Sequence, residues 1–346
     1  MSRRVLTLVV GAVLLVALGI GGTQLPVPYV ELGPGPTLDT LGVDQSGNEI
    51  IRLTGRTEDR TNGHLNLTTV SVRDHLDLLA ALRGWLDPDR AVVPREEIFP
   101  VGQTEQQTDE KNTRDFVTSQ NKAELAALAY LDLTKIKVIS VRSDSPSYGK
   151  LTDGDIITAM QGRKVADVGD LSAVLGAVKP GTTVTVDYLR AGRPGSTRVT
   201  TEEGSGTSGA TRAVIGIGVT LESTAPFTVK IGLDDRIGGP SAGLMFALGI
   251  VEKVGPDDLT GGRFIAGTGE IDESGAVGPI GGIPLKLIAA KSKGATVFLV
   301  PAGNCAEAMR KPPSGLQLVK VDSLSGAVDA LEALKAGRAA PVCSAA

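Results

Sequence analysis

Gly238-Gly239-Pro240-Ser241-Ala242-Gly243, running into the apolar stretch Leu244 to Val251, decides how this chain reads. It sets a serine where a glycine-rich turn enters a helix. A hydroxyl on such a bend is exposed, and the backbone N–H groups of a first helical turn lie beside it without partners in their own helix. A nucleophilic serine needs both, because amides already in place hold an oxyanion forming nearby. An ordinary helix start with Pro240 at its first position reads the same residues without chemistry. The rest of the chain decides between them.

A free serine hydroxyl is a weak nucleophile and needs a base. The only histidines, His64 and His75, lie far upstream and show no Asp-His-Ser pattern, although distance in sequence does not exclude them. A lysine serves instead when desolvation and positive potential bring its pKa toward neutrality. Lys286 is the candidate, in Gly281-Gly282-Ile283-Pro284-Leu285-Lys286. The glycine pair and Pro284 signal a helix start, which puts Lys286 in a first turn, where the helix dipole disfavours an ammonium. Ile283, Leu287, Ala289 and Ala290 around it are apolar, whereas Lys291 and Lys293 fall in a polar stretch. Between serine and lysine, Gly267-Thr268-Gly269-Glu270-Ile271 reads as a strand entering a hairpin. The Thr268 hydroxyl is a candidate acceptor for a hydrogen bond that orients the lysine.

In this order, GGPSAG, GTGEI, GGIPLK and the apolar strand Ala295 to Pro301 resemble the proteolytic domain of the Lon family of serine proteases over residues 238–301. The resemblance implies Ser241 as nucleophile, Lys286 as general base and Thr268 as the residue that positions the lysine. Arg236-Ile237 stands where that family has a lysine and an acidic residue before the serine motif, with Asp234-Asp235 further upstream. Pro284-Leu285 replaces the charged residues common before the lysine. Neither departure removes a catalytic group, but subsite preference does not carry over. No G-x-x-x-x-G-K-[ST] phosphate loop occurs in the sequence, so cleavage without ATP-driven unfolding is expected, on flexible or exposed segments. No cofactor and no metal is expected.

Met1-Ser2-Arg3-Arg4 is basic, and from Val5 to Gly22 only Thr7 is polar. At ~1.5 Å per residue such a helix covers about 27 Å, close to the hydrocarbon thickness of a bilayer. An uncleaved anchor is expected, with a cleavable signal peptide as the rival. Arg3 and Arg4 inside would leave the catalytic portion on the extracytoplasmic side of the cell membrane. The net charge of −4 and sparse aromatics give no sign of nucleic-acid binding. Cys305 and Cys343, the only cysteines, have no metal-ligand spacing; they are either a disulfide permitted by an oxidising exterior or two free thiols.

Val138 to Pro146, Leu151-Thr152-Asp153-Gly154-Asp155-Ile156-Ile157, the helical stretch Asp170 to Val178 and the strand Thr182 to Leu189 follow one another in the middle of the chain. The order looks like a PDZ domain of the bacterial-protease type, over roughly Ile136 to Thr201. PDZ domains bind an extended peptide by strand addition and capture its terminal carboxylate in backbone amides. The capturing loop is expected at Leu133 to Lys137, where Lys135 and Lys137 suit an anionic terminus. Upstream, the alternating Gly63 to Val72 reads as a strand, and Leu76 to Leu86 and Ser119 to Leu131 as helices. The polar Val93 to Asp115 reads as a loop. The strand and the second helix resemble the N-terminal part of the Lon proteolytic fold, which implies a PDZ domain inserted into a split protease that resumes near Gly216-Ile217-Gly218-Val219. Glu202 to Thr211 reads as a flexible linker by composition.

The whole resembles the bacterial membrane-anchored PDZ-domain Lon-like serine proteases. The expected fold class is α+β: a Lon-type proteolytic domain of mixed sheets and helices, an inserted β-rich PDZ domain and one N-terminal transmembrane helix. The expected division is a stub and anchor (1–25), an extended segment with the first protease part (26–131), the PDZ domain (132–203), and the proteolytic core with its tail (204–346). The expected activity is that of an ATP-independent Ser-Lys endopeptidase cutting exported or membrane proteins, with the PDZ recruiting substrate tails or gating access. Partners would be protein or peptide substrates, membrane lipid at the first helix and, by resemblance, further copies of the chain in a homo-oligomer. The rival is a PDZ-based peptide-binding scaffold on an inactive protease fold.

Overall fold

The computed structural model describes residues 3–44, 46–56, 62–205, 211–233, 237–256 and 258–344. In one of two six-stranded sheets, β4 (Ala91–Pro94), β1 (Tyr29–Asp39), β3 (His64–Arg73), β14 (Phe264–Gly267), β17 (Val297–Pro301) and β18 (Gln317–Val321) lie side by side in that order. Strand β1 is antiparallel to its neighbours β4 and β3, and β3, β14, β17 and β18 run parallel. Segments from both ends of the chain therefore share one sheet. Parallel neighbours need crossovers; α6 (Ile283–Lys293) lies in the chain between β14 and β17. The apolar run after the serine motif is α5 (Gly243–Val254), every residue of which is buried. A helix apolar all round through Val251 has no stable place except inside a core, and its last-turn Glu252 and Lys253 are buried with it. It packs with α3 (Glu105–Tyr130) and α8 (Leu324–Lys335) against this sheet, and Phe116 of α3 meets Phe246 edge to face at 5.8 Å.

A second, antiparallel sheet holds β12 (Ile217–Ser223), β5 (Thr134–Val141), β6 (Ile156–Met160), β8 (Thr183–Arg190) and β9 (Arg193–Thr200) in that order, with the short β7 (Arg163–Lys164) beside β6. It has its own core of Ile136, Val138, Ile157, Met160, Val184 and Val186, closed by α4 (Val168–Gly176). The fully buried Asp155 accepts two hydrogen bonds from Arg190, each 2.8 Å, and one from the Thr152 N–H. Burial opposes its charge, but these bonds outweigh burial and hold its carboxyl below the usual range. Helix α3 joins the two bodies: Ala129 belongs to the second core, Phe116 and Ala123 to the first.

Three two-stranded pieces complete the sheets: β2 (Ile51–Thr54) with β13 (Thr228–Ile231), β10 (Glu202–Ser205) with β11 (Thr211–Val214), and β15 (Glu270–Ile271) with β16 (Val277–Gly278). After β17 comes the short α7 (Cys305–Ala308), from which Cys305 is disulfide-bonded to Cys343. The bond holds the C-terminal segment along β18, where Val342 bridges Val319 and the Cys343 N–H donates to Leu318 C=O. At the other end, α1 (Arg3–Gln24) and α2 (Leu78–Leu86) meet. Among the described residues, α1 is the one helix long and apolar enough to cross a membrane, and it lies almost wholly exposed.

The structure corrects several expectations. The polar stretch read as a loop, Val93 to Asp115, carries the end of β4 and most of the first half of α3. A reciprocal cap starts that helix: Thr104 Oγ1 accepts from the Gln107 N–H, and the Gln107 side chain accepts from the Thr104 N–H. Polar composition misled because that half of the helix faces water. The strand expected to reopen the protease at Gly216 to Val219 is instead β12, paired with β5 in the second sheet. Around the expected linker, Glu202–Ser205 and Thr211–Val214 pair as strands; residues 206–210 lie outside the described residues, as do Asp234, Asp235 and Arg236.

Candidate active site

Ser241 sits in the bend before α5, not inside the helix. Pro240 does not open the helix; Ala242 is its cap and Gly243 its first residue. The bend is tied down from two sides. From α3, the Asn112 C=O accepts the Gly239 N–H at 3.0 Å, and the Ser119 hydroxyl donates to Pro240 C=O at 2.9 Å. From the strand end after β14, the Gly269 N–H and the Thr268 hydroxyl both donate to Ser241 C=O at 2.9 Å, and Gly269 C=O accepts the Leu244 N–H. A side chain at Gly243 has no room: its Cβ would lie 2.9 Å from both Ile271 Cγ2 and Ser119 Oγ. Neither the Ser241 nor the Ala242 N–H finds an acceptor among the described residues.

Lys286 arrives from the opposite side on α6. That helix is capped by Gly282 in the left-handed conformation, φ +75°, with Pro284 in its first turn. A side chain at Gly282 would also press within 2.8 Å of Val70 on β3. Lys286 is 3% exposed and Thr268 0%. The amine nitrogen Nζ lies 2.8 Å from Ser241 Oγ and 2.9 Å from Thr268 Oγ1. Burial lowers the lysine pKa from its ordinary 10.5 to about 8. The hydroxyl proton of Thr268 is committed to Ser241 C=O, so its oxygen can meet the lysine only as an acceptor. When the amine is neutral, one N–H goes to Thr268 and its lone pair is left for the Ser241 hydroxyl.

The structure thus brings Ser241, Thr268 and Lys286 together, and neither histidine is with them. His64 pairs with Asp39 at 2.5 Å and lies against Phe264, the two rings tilted by 44°. His75 lies beside Asp74 and Glu105, and ligand-type atoms of these three come within 4.8 Å of one another. Arg95 is inserted there, donating to Asp74 at 2.7 Å and to Glu105, so an arginine already supplies the positive charge. Ser119 was legible only as a helix residue and Asn112 only as part of a polar loop; nothing in their local pattern marks them as supports of the serine bend. Beside that bend, a cleft of about 440 Å³ runs between α3 and the β15–β16 hairpin, lined by Asp115, Ser119, Lys122, Pro240, Glu270 and Ile271.

The peptide-capturing loop expected at Leu133 to Lys137 is also corrected. All of them but Leu133 belong to β5, which has neighbours on both sides, β12 and β6, and so has no free edge for a peptide. Lys135 and Lys137 reach Glu222 on β12 instead. The free edge of this sheet beside α4 is β12, entered through Gly216-Ile217-Gly218.

Two stretches of the chain match known protein domains. Residues 236–334 match the model of the Lon protease (S16) C-terminal proteolytic domain, and residues 105–201 match that of the PDZ domain. Lon protease 2 of Bacillus subtilis (strain 168) is 38% identical over 96 residues, 27% of this chain and 16% of that protein. The Lon protease of Phenylobacterium zucineum (strain HLK1) is 36% identical over 95 residues, 28% of this chain and 12% of that protein. The match thus spans less than a fifth of either relative. Among solved structures, the PDZ domain of an SdrC-like protein from Listeria innocua is similar at 25% identity and a TM-score of 0.22, covering 25% of this chain and 92% of that one. The chain thus carries a PDZ domain and a Lon-type proteolytic domain.

Proposed function

We propose that this chain is a serine endopeptidase with a Ser241–Lys286 dyad, tethered to a membrane by α1, working on its outer side without an ATP-driven unfolding module. The carrying observation is the buried amine of Lys286, 2.8 Å from the Ser241 hydroxyl, with its pKa lowered to about 8. In this reading Lys286 takes the Ser241 proton as Oγ attacks the scissile carbonyl carbon. The oxyanion that forms accepts from the Ser241 and Ala242 N–H groups. The protonated lysine then gives its proton to the leaving amine, and an ester links the acyl fragment to Ser241. Water, deprotonated by the same lysine, attacks the ester and releases the acid. Thr268 holds the amine in line.

Substrate residues on one side of the scissile bond occupy the cleft between α3 and the β15–β16 hairpin. The PDZ domain recruits an extended tail of the substrate as an added strand on β12. Arg3 at the start of α1 favours a cytoplasmic amino terminus and an external catalytic body. The test is cleavage of an unfolded casein-like protein by the full chain in detergent or nanodiscs, without ATP. Wild type should cut and Ser241→Ala should not. Equal cleavage by both would end the assignment, and no cleavage by either, with tail peptides still bound, would leave a PDZ scaffold.

A further inference from the structure

The first two helices are joined by more than chain connectivity. The Leu25 N–H donates to Gly21 C=O, the Leu78 N–H to Leu25 C=O, and the Val27 N–H to Leu76 C=O, at 2.9 to 3.1 Å. The chain leaving α1 is therefore bonded at once to the start of α2. The two also touch side by side: a Cβ at Gly22 would lie 3.0 Å from Leu79 Cγ. Helix α2 buries Ala80, Ala81 and Gly84 against the protein body. At 3.6 residues per turn, Leu79, Leu82 and Leu86 fall together on the opposite face, with Trp85 at its flank. Leu82 is 43%, Trp85 51% and Leu86 85% exposed, and Leu25 at the join is exposed too. The leucine face that touches α1 thus continues outward uncovered.

We propose that this face of α2 is a second membrane contact, lying in the boundary between headgroups and acyl chains where α1 leaves the bilayer. The inference rests on α1 being a membrane span. Given that, a lipid surface is what α2 must meet, because Leu79 already packs on the last turns of the spanning helix. A short amphipathic helix with leucines on its outer face is the form that lies in such a boundary. Trp85 suits it: the ring packs edge-on against Tyr29 at 5.4 Å and its N–H donates to Val92 C=O, an apolar body with a satisfied polar end. Arg83, on the exposed side of the same helix, reaches the headgroups with its charged end. The proteolytic body is then held at a set height and tilt by two contacts, a span and an in-plane helix, rather than swinging on a tether.

The chain holds a single tryptophan, so its emission reports on α2 alone. The full chain is reconstituted in vesicles of ordinary phospholipid or of phospholipid brominated on the upper acyl chain, and flotation is measured alongside Trp85 emission. The proposal expects blue-shifted emission, strong quenching by the brominated lipid and shielding from iodide in the aqueous phase. A Leu82→Glu/Leu86→Glu variant should still float, held by α1, but lose lipid quenching and gain iodide quenching. Floating protein whose Trp85 is open to iodide and untouched by brominated lipid overturns the proposal while leaving the span intact. Shielding from iodide without lipid quenching overturns it as well, in favour of a protein partner or a second copy. Failure to float overturns the span, and the proposal with it.

Discussion

The amine of Lys286 lies 2.8 Å from the hydroxyl of Ser241, and the two residues come from opposite sides of the site, one on a helix, the other on the bend before another. Because the threonine between them is already donating to the Ser241 carbonyl, the lysine has one hydrogen-bond partner to give to and one to take from. That asymmetry, together with burial, makes the pair testable in several independent ways.

Peptidase activity should rise with pH through about 8 and then level off, since Lys286 acts as a base only when unprotonated and its pKa is lowered to about 8. Lys286→Arg stays charged across this range and should be folded and inactive. Initial rates on an unfolded substrate from pH 6 to 10 check both points. A wild-type profile falling from pH 7 to 9, or full activity in the arginine variant, would refute the base role.

Thr268→Val keeps the shape but removes both the acceptor for the lysine and the donor to Ser241 C=O. The expected loss in kcat is on the order of 10-fold to 100-fold, as for a reacting group left slightly misplaced. KM should hardly change. Thr268→Ser, which restores the hydroxyl, should recover most of the activity. No recovery would mean that the methyl group, not the hydroxyl, is what the site needs.

The buried lysine should also cost stability. The unfolded chain keeps the Lys286 proton up to about its ordinary 10.5, whereas the folded chain releases it near 8. Stability from this group is therefore gained as pH rises from 8 to 10.5, and its absence is complete below 8. The displacement corresponds to about 3 kcal/mol. Lys286→Met should be more stable than wild type at pH 7, with the gap closing toward pH 10.5. Urea unfolding at a series of pH values measures it; a gap that does not change with pH would contradict the buried-amine account.

Cys343→Ser should loosen the C-terminal segment along β18. The cross-link closes a loop across a sequence separation of 38 residues, worth about 4 kcal/mol on the loop-entropy account if the native state is unstrained. Wild type treated with reductant should lose the same increment, and the variant should be indifferent to reductant. Identical unfolding midpoints with and without reductant in wild type would show that the bond contributes nothing.

Much of the site was legible because its parts are short and chemically marked. A glycine-flanked serine, a TGE segment and a glycine-proline helix start each carry local signals, and the resemblance of their order to the Lon proteolytic domain implies Ser241, Thr268 and Lys286. The PDZ sheet was legible in part: the motif order that resembles a PDZ domain located β8, the second half of β5 and the start of β6, but the first half of β5 was read as a loop and the role of β12 was misassigned. Strand alternation says which face of a strand is apolar, not which strand it pairs with. The polar first half of α3 was missed because composition records exposure, while the Thr104–Gln107 cap that starts it is a two-residue signal.

What the sequence determined alone is the inventory and its local geometry: a serine on a bend, a lysine early in an apolar helix, an apolar N-terminal helix and two cysteines with alternative fates. What only the tertiary structure decided is adjacency. The pairing of Cys305 with Cys343, the edge position of β12, the Asn112 and Ser119 supports under the serine bend and the burial of the Lys286 amine all join segments distant in the chain. Local propensities depend on near neighbours, whereas a lowered lysine pKa depends on which remote side chains exclude water from it.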